Sequence, residues 1–452
     1  MSRPKHPGKP TSATSRRQFL KQATAITAGL GTAGAIGFPT IIPSSALGKD
    51  GAVAPSNRIV LGIIGTGGQG RADMHMFMDK PDIQVVAVCD VDAAHMKQAM
   101  HDVEQKYGEG NCKTYHDFRE LAARKDLDAI QVTTPDHWHA IAAIAVLDAG
   151  KDVYCEKPLA NSVYESRKIV DAVKRNNRIL QTGTQERSAP YSRQAAELVQ
   201  NGRIGKLHTI HINLPCTDPH HKAVRATQGI PAAQPVPEGF DFNTWLGHAP
   251  EAAYTEKRCH FWWRFILDYG GGEMTDRGAH VIDLGQLGQG TDETGPVEFE
   301  AKGERLPGSL YTSFWDYTFT NTYANGVKML GTTNEPRGVK FEGSDGWVMI
   351  NVHGGPITAS NPEILKEKVA TSGVQLGRTP DHKQNFIDSM RTRKDPFAKA
   401  EIGHRTATIC HLNNIAMATG KKLVWDPKAE RITNEESLNA FLKPSFRAPW
   451  TL

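Results

Sequence analysis

Cysteine is scarce in this chain and shows no pattern. The six residues, at positions 89, 112, 155, 216, 259 and 410 of 452, include no C-x-x-C pair. A disulfide-stapled scaffold and the usual zinc-ribbon spacings are thereby excluded, and no metal site is expected. Cys89 and Cys155 fall at the ends of predicted central strands, where buried free thiols are expected. Long apolar runs are missing as well. The mildly apolar stretch from Ala25 to Phe38 is short and rich in Gly, Ala and Thr, too weak for a permanent membrane span. Nor is there a basic block interleaved with aromatics, so no nucleic-acid partner is expected. The formal charge of +4 does not argue otherwise. Residues 1–46 hold six bases (Arg3, Lys5, Lys9, Arg16, Arg17 and Lys21) and no acid, which leaves 47 bases against 49 acids in the remainder, near −2.

Those first residues read as an address label. Ser15-Arg16-Arg17-Gln18-Phe19-Leu20-Lys21 matches the bacterial twin-arginine signal, and Pro43-Ser44-Ser45-Ala46 offers small residues for cleavage after Ala46. The expectation is a signal peptide over 1–46, export by the twin-arginine translocase, and a periplasmic location for the rest. That route carries proteins already folded in a reducing cytoplasm, which agrees with unpaired thiols. With 39% of its residues apolar, the remaining chain suffices for two ordinary domains.

The organising stretch is Arg58 to Gly70. An apolar run, Ile59 to Ile64, breaks into Gly65, Gly67 and Gly70 at G-x-G-x-x-G spacing. The run reads as a strand buried on both faces of a parallel sheet. Gly65 permits the tight turn, Gly67 leaves room for a pyrophosphate, and Gly70 lets the next helix pack closely on the sheet. Free N–H groups and the dipole at that helix's start attract the phosphates. A second strand-like run, Ile83 to Cys89, ends in Asp90, twenty positions past Gly70, where a carboxylate accepts hydrogen bonds from the adenosine ribose. An Asp there repels a 2′-phosphate, which favours NAD while leaving NADP open.

Over 57–182 strands and helices alternate. Predicted helices cover 69–78, 93–107, 118–123, 138–149 and 163–175, and predicted strands 83–89, around 114, 129–133, 152–155 and 179–181. The alternation argues for a doubly wound parallel sheet, with ligands beyond the carboxyl ends of its strands. Over 183–452 the texture changes. A helix at 192–201 and a strand at 207–214 precede an irregular Pro- and Gly-rich stretch, 215–250. Strand-like runs at 297–302, 312–320, 327–331, 339–342 and 347–351 follow, with helices at 381–392 and 403–419. The expected fold is an α/β Rossmann domain plus an α+β domain with a mostly antiparallel sheet, the latter for substrate binding and oligomerisation.

Three pieces carry candidate chemistry. Lys157 leaves the predicted fifth strand, where a partly desolvated ammonium near a nicotinamide loses pKa and exchanges a proton with a hydroxyl. A surface Lys paired with Glu156 fits the same residues. Asp276 and His280 are four apart and share a face if one helix opens after Gly270-Gly271-Gly272. That makes either a proton-accepting pair or a helix-capping Asp beside a structural His. Trp262 and Trp263, near Phe261 and Tyr269, suit either sugar stacking or a core. Gln185, Glu186 and Arg187 follow the last Rossmann strand, within reach of a substrate. His220-His221 and His137-x-His139 lack a third ligand at metal-site spacing.

Together, Gly65-x-Gly67-x-x-Gly70, Asp90, Pro135-x-x-x-His139, Glu156-Lys157-Pro158 and Asp276-x-x-x-His280 resemble the Gfo/Idh/MocA oxidoreductase family over most of 57–290. The Gly-Gly-Gly-Glu-Met-Thr-Asp-Arg-Gly-Ala-His wording resembles its exported bacterial branch. The resemblance implies that Lys157, Asp276 and His280 form the catalytic group, Lys157 and His280 handling the hydroxyl proton and Asp276 orienting substrate and imidazole. It implies that Pro158 shapes the strand end beside the nicotinamide with His139 close to it. Pro135, His139, Glu156 and Lys157 are thus expected with Gly65, Gly67, Gly70 and Asp90 around the dinucleotide, and the candidate substrate contacts remain Gln185, Trp262 and Trp263.

The implied activity is NAD(P)-dependent hydride transfer at a sugar, glycoside or cyclitol hydroxyl, in a homo-oligomer. A periplasm without free NAD requires a tightly held cofactor and a closed redox cycle. Redox-assisted glycoside cleavage (oxidation, elimination, hydration, reduction) meets the same requirement. A non-catalytic nucleotide- or sugar-binding protein is the third reading, against which the intact Lys157, Asp276 and His280 speak.

Overall fold

The computed structural model describes residues 57–352 and 356–452, less 368 and 370–371, together with 53 and 54. The twin-arginine segment and the cleavage position at Ala46 lie outside the described residues. The chain divides into units 1–55 and 56–452, and everything below concerns the second. No helix among the described residues is long and apolar enough to cross a membrane.

The first half builds a parallel sheet from β1 (Ile59–Ile64), β2 (Ile83–Cys89), β3 (Lys113–Tyr115), β4 (Ala129–Val132), β5 (Asp152–Cys155) and β6 (Leu180–Thr182), in the order β3-β2-β1-β4-β5-β6. Its crossover helices are α1 (Gly68–Met78), α2 (Ala93–Tyr107), α3 (Phe118–Ala122), α4 (Asp136–Asp148) and α5 (Val163–Asn176). β4 and β5 are buried at every position because helices cover both faces, which is why their sequences carry no polar alternation. Local chemistry sets the helix starts. Asp92 accepts from the N–H of Ala94 at the head of α2. Ser162 and Glu165 open α5 as a reciprocal capping box, Glu165 N–H donating to Ser162 Oγ and Ser162 Oγ–H to Glu165 Oε2.

The second half winds a nine-stranded sheet from β7 (Leu207–Asn213), β8 (Glu298–Glu304), β9 (Trp315–Thr322), β10 (Lys328–Thr332), β11 (Gly338–Gly343), β12 (Gly346–Asn351), β13 (Thr358–Ala359), β14 (Leu423–Asp426) and β15 (Arg431–Ile432). Their order is β13-β12-β11-β7-β10-β9-β8-β14-β15, and only the β7–β10 pair runs parallel. Against it pack α6 (Pro190–Gln200) and the longer of two consecutive helices, α9 (Glu273–Asp276) and α10 (Gly278–Gln289). α10 lies so close to the sheet that a Cβ on Gly288 would stand 2.2 Å from the Phe341 ring.

The structure departs from the sequence expectations in several places. The stretch 215–250 contains two helices, α7 (Pro219–Ala226), opened by Pro219 in its first turn, and α8 (Phe242–Leu246). The sheet also gains β14 and the edge strand β15 beyond the strands expected from sequence. Two late helices, α11 (His382–Thr392) and α12 (Ala400–Thr419), return to the first sheet: Phe386 packs with Phe77 and Tyr154, and Lys383 donates to Asp73 at 2.7 Å in the buried seam. All six cysteines are buried free thiols.

Arg187, just past the end of the first half, is a buried polar hub of the second. Fully buried, it donates to both oxygens of buried Asp283 on α10 (2.7 and 3.0 Å), to both of Asp292, and to the Phe397 carbonyl. The expectation that it reaches substrate is therefore wrong: its donors are spent inside the fold. Replacing Arg187 with Met strands a carboxylate in the core and should destabilise the protein by about 3–5 kcal/mol, and adding Asp283→Leu should recover part of the loss. Urea unfolding curves of the two variants check this.

Candidate active site

Beyond the carboxyl ends of β1, β2, β4 and β5 lies a cavity of about 920 Å³, walled on the other side by α9, α10 and the loop that precedes them. Lys157, Asp276 and His280 line it together with Gly65, Gly67, Gly70, Asp90, Pro135, His139, Glu156, Gln185 and Trp263, whereas Trp262, Glu186 and Arg187 do not. Trp262 sits in a tight 3-10 turn, Trp262–Phe265, in which successive side chains diverge by about 120°. Trp263 therefore faces the cavity, while the Trp262 ring lies under the Lys257 ammonium, 4.8 Å away, outside the cavity lining.

The glycine turn fits a dinucleotide pyrophosphate. Gly65 has φ +84°, and a Cβ there would stand 2.5 Å from the Thr133 carbonyl oxygen. One on Gly70 would stand 2.0 Å from the Gly65 oxygen, so α1 docks on the strand only without a side chain. A Cβ on Gly67 would meet nothing nearer than 3.9 Å, because that position borders open space. No side chain caps α1 and its first turn carries no acid, which leaves its N–H groups for phosphate oxygens. Asp90 is oriented by hydrogen bonds from Thr66 N–H (2.7 Å) and Thr66 Oγ–H (2.8 Å) to Oδ2 and from Asp92 N–H to Oδ1. Oδ2 thus accepts two bonds already, while Oδ1 keeps a second lone pair for a ribose hydroxyl.

At the other end, Lys157 Nζ donates to Asp276 Oδ1 at 2.7 Å, and Arg264 Nε approaches the same oxygen at 3.5 Å. Burial alone would lower the Lys157 pKa, but the charges of Asp276 and Glu156 outweigh it and the pKa is raised. The sequence expectation of a lysine with lowered pKa is overturned by a partner from the other domain. Burial would raise Asp276, yet Lys157 and Arg264 hold its carboxyl well below the usual range. Asp276 and His280 do not share one continuous helix either. The helix breaks at Arg277, and the two residues enter the cleft from the end of α9 and the first turn of α10.

His139 is buried, with Nδ1 2.8 Å from the Pro158 carbonyl and Nε2 2.9 Å from that of Thr134. Burial pushes its pKa down to about 4 although both carbonyls favour the protonated ring, and a neutral imidazole donates to only one of them. Glu156 is pushed up to about 8 by burial and by the Asp73 carboxylate. Gln185 offers a buried Oε1 with no hydrogen-bond partner.

Sequence reasoning passed over Asp136. It opens α4, is buried and lines the cavity. Burial, and after it the charge of Asp276, raises its pKa well above the carboxylate range although Lys157 opposes this. Arg264, in cation–π contact with Trp263 at 4.5 Å, was missed too. Both adjoin residues already singled out, but only the fold aims them inward.

The histidine pairs need revision. His137 is a buried core residue bonded to the Trp245 carbonyl. His220 and His221, with Nε2 atoms 3.1 Å apart, do acquire a third potential ligand, Asp218, and Asp92, His95 and His260 form a second such group. Asp218 is already neutralised by Arg277 (2.9 Å) and Arg337 (3.1 Å).

Residues 59–184 match the family model of the Gfo/Idh/MocA oxidoreductase NAD-binding Rossmann fold, and residues 191–452 match that family's C-terminal α/β domain. Among curated proteins, an α-N-acetylgalactosaminidase of Shewanella oneidensis is 36% identical over 172 residues, 36% of this chain and 38% of that relative. A glycosyl hydrolase family 109 protein of another Shewanella strain is 35% identical over the same length and coverage. The match thus spans well under half of these relatives. Among solved structures, aldose-aldose oxidoreductase from Caulobacter crescentus has TM-score 0.60 at 18% identity, covering 81% of this chain and 99% of that one. The WlbA dehydrogenase from Bordetella pertussis, solved with NADH and UDP-GlcNAcA, has TM-score 0.60 at 16% identity, covering 82% and 99%. At such identities these two share the fold.

The Lys157–Asp276 pair makes a direct prediction. In Asp276→Asn the counter-charge is gone and burial governs Lys157, so its pKa falls. Amine labelling read by peptide mass spectrometry should modify Lys157 at lower pH in the variant than in the parent, with surface lysines unchanged.

Proposed function

This chain belongs to the Gfo/Idh/MocA oxidoreductase family, and from that premise we propose that it is an exported enzyme moving hydride between NAD and a hydroxyl-bearing carbon of a sugar, glycoside or cyclitol. The observation that carries the reading is the 2.7 Å contact of Lys157 with Asp276 in the cleft that also holds His280 and Gly67. Bound NAD supplies the hydride acceptor and donor. A substrate hydroxyl at Lys157 Nζ gains a charge-assisted hydrogen bond that strengthens as negative charge grows on its oxygen. Held as an ammonium, Lys157 does not take the hydroxyl proton. His280 is left as the acceptor, and it returns the proton in the reverse direction. Asp276 keeps the ammonium charged and aimed, and Gln185 Oε1 accepts from a second substrate hydroxyl.

The periplasmic location, delivery by the twin-arginine translocase and homo-oligomerisation belong to the same proposal. With no free NAD outside the cytoplasm, the cofactor is loaded before export and stays bound through a closed cycle. One observation favours redox-assisted glycoside cleavage as the form of that cycle. Asp136 places in the same cleft a carboxyl whose pKa burial raises, the direction that suits protonating a departing glycosidic oxygen. The relatives named as glycosidases point the same way.

The test begins with mass spectrometry of cofactor released from denatured protein, followed by a sugar screen at the nicotinamide absorbance band. NAD should be present, and Lys157→Ala and His280→Ala should each lower turnover on the order of 10²–10⁴-fold while retaining NAD. Full turnover in both variants would remove the assignment. Aglycone release from an aryl glycoside without added cofactor selects the glycosidase form, and net absorbance change selects simple oxidoreduction.

A further inference from the structure

The last ten residues lie far from Lys157, yet they border the same cavity. We infer that residues 443–452 are part of the dinucleotide site, a strap that roofs its adenosine half with the Trp450 indole against the base.

Three observations converge. First, the strap is anchored on both domains. Arg447 N–H donates to the His248 carbonyl at 2.9 Å, and its guanidinium donates to the Gly247 carbonyl (2.8 and 3.1 Å), to Asn243 Oδ1 (3.0 Å) and to the Asn243 carbonyl (3.2 Å). The Phe446 ring lies 4.7 Å from His248, while Phe446, Trp450 and Leu452 pack on the core beneath α3, α4 and α5.

Second, the strap ends over the cavity. Pro449 and Trp450 line it together with Phe118 and Arg119. The Trp450 ring meets Trp138 at 4.7 Å and 81°, and the Arg119 guanidinium sits 5.7 Å from the indole.

Third, the place is where an adenine must go. Asp90 fixes the ribose position at the end of β2, and its N–H donates to the Tyr115 carbonyl at 3.3 Å, so Phe118 and Arg119 lie next along from it. Trp138 stands in the first turn of α4, after β4. In a doubly wound sheet the base extends from that carboxylate into the crevice between the strand ends, which here is bounded by Trp138 and roofed by Trp450. An aromatic face or edge at that point is sequence-tolerant contact for a purine. A dinucleotide beneath the strap leaves only when Arg447 releases its carbonyls.

The test uses the full chain with Trp450→Ala, Trp450→Phe and Arg447→Ala, each checked for an unchanged cooperative thermal transition. Calorimetry on cofactor-stripped protein uses ADP-ribose and nicotinamide mononucleotide as probes, and NAD dissociation from loaded protein is timed by filtration and mass spectrometry. Trp450→Ala should weaken ADP-ribose about tenfold and leave nicotinamide mononucleotide unchanged. Trp450→Phe should stay near the parent, and Arg447→Ala should speed NAD release with Trp450 intact. If Trp450→Ala does not fold, the other two variants carry the test. Parental ADP-ribose affinity and release rate in the folded variants, equal weakening of both probes, or tighter ADP-ribose binding in Trp450→Ala would overturn the inference. None of these readouts depends on turnover, so they stand apart from the activity proposed above.

Discussion

A part-buried ion pair between two domains is the constraint on which this architecture turns. Lys157 arrives at the end of β5 and Asp276 at the end of α9, and they meet at 2.7 Å where little water reaches. Removing both charges from water costs several kcal/mol per ion, which their attraction offsets only with good geometry and further partners. Arg264 supplies such a partner, held in place by the Trp263 face. The pair contributes little net stability by this reckoning. In the proposed reaction it gives a fixed ammonium where oxygen charge develops, which is worth more in a low-dielectric cleft than in water.

The rest of the fold holds the two halves in register so that this meeting happens. Arg187 spans from the segment after β6 to Asp283 on α10, the helix that carries His280. Lys383 on α11 closes onto Asp73 of α1, the helix that starts at the phosphate turn. Arg187 orders the second half, whereas the buried Lys383–Asp73 pair crosses the seam, so that sliding the domains apart would strand both of its charges. The cleft is accordingly a property of the interface and of neither domain alone.

Much of this was legible in the chain. Strands buried on both faces carry near-continuous apolar runs, so β2, α2 and β5 appear with the bounds expected from sequence. The glycine turn is a local matter of φ and spacing, and Asp90 follows at a fixed offset. The Gfo/Idh/MocA motifs pointed to the residues that the fold gathers in one cavity. What escaped depends on contacts remote in sequence. The direction of the Lys157 pKa needs a partner 119 residues away. The break at Arg277 separates Asp276 from the helix of His280 although their spacing suits one turn. Trp262 and Trp263 are indistinguishable neighbours until a tight turn points one inward. Arg187 looked free to meet a substrate because its acids, Asp283 and Asp292, lie about a hundred positions on. Trp450 carried no local signal at all.

The measurement closest to the central claim is a crystal structure of the protein with NAD bound. The nicotinamide ring should lie beside the end of β5, its reactive carbon facing the space between Lys157 and His280, with the pyrophosphate on the Gly67 turn. A ring directed away from that space, or a dinucleotide seated elsewhere, would contradict the assignment of this cleft as the place where hydride moves.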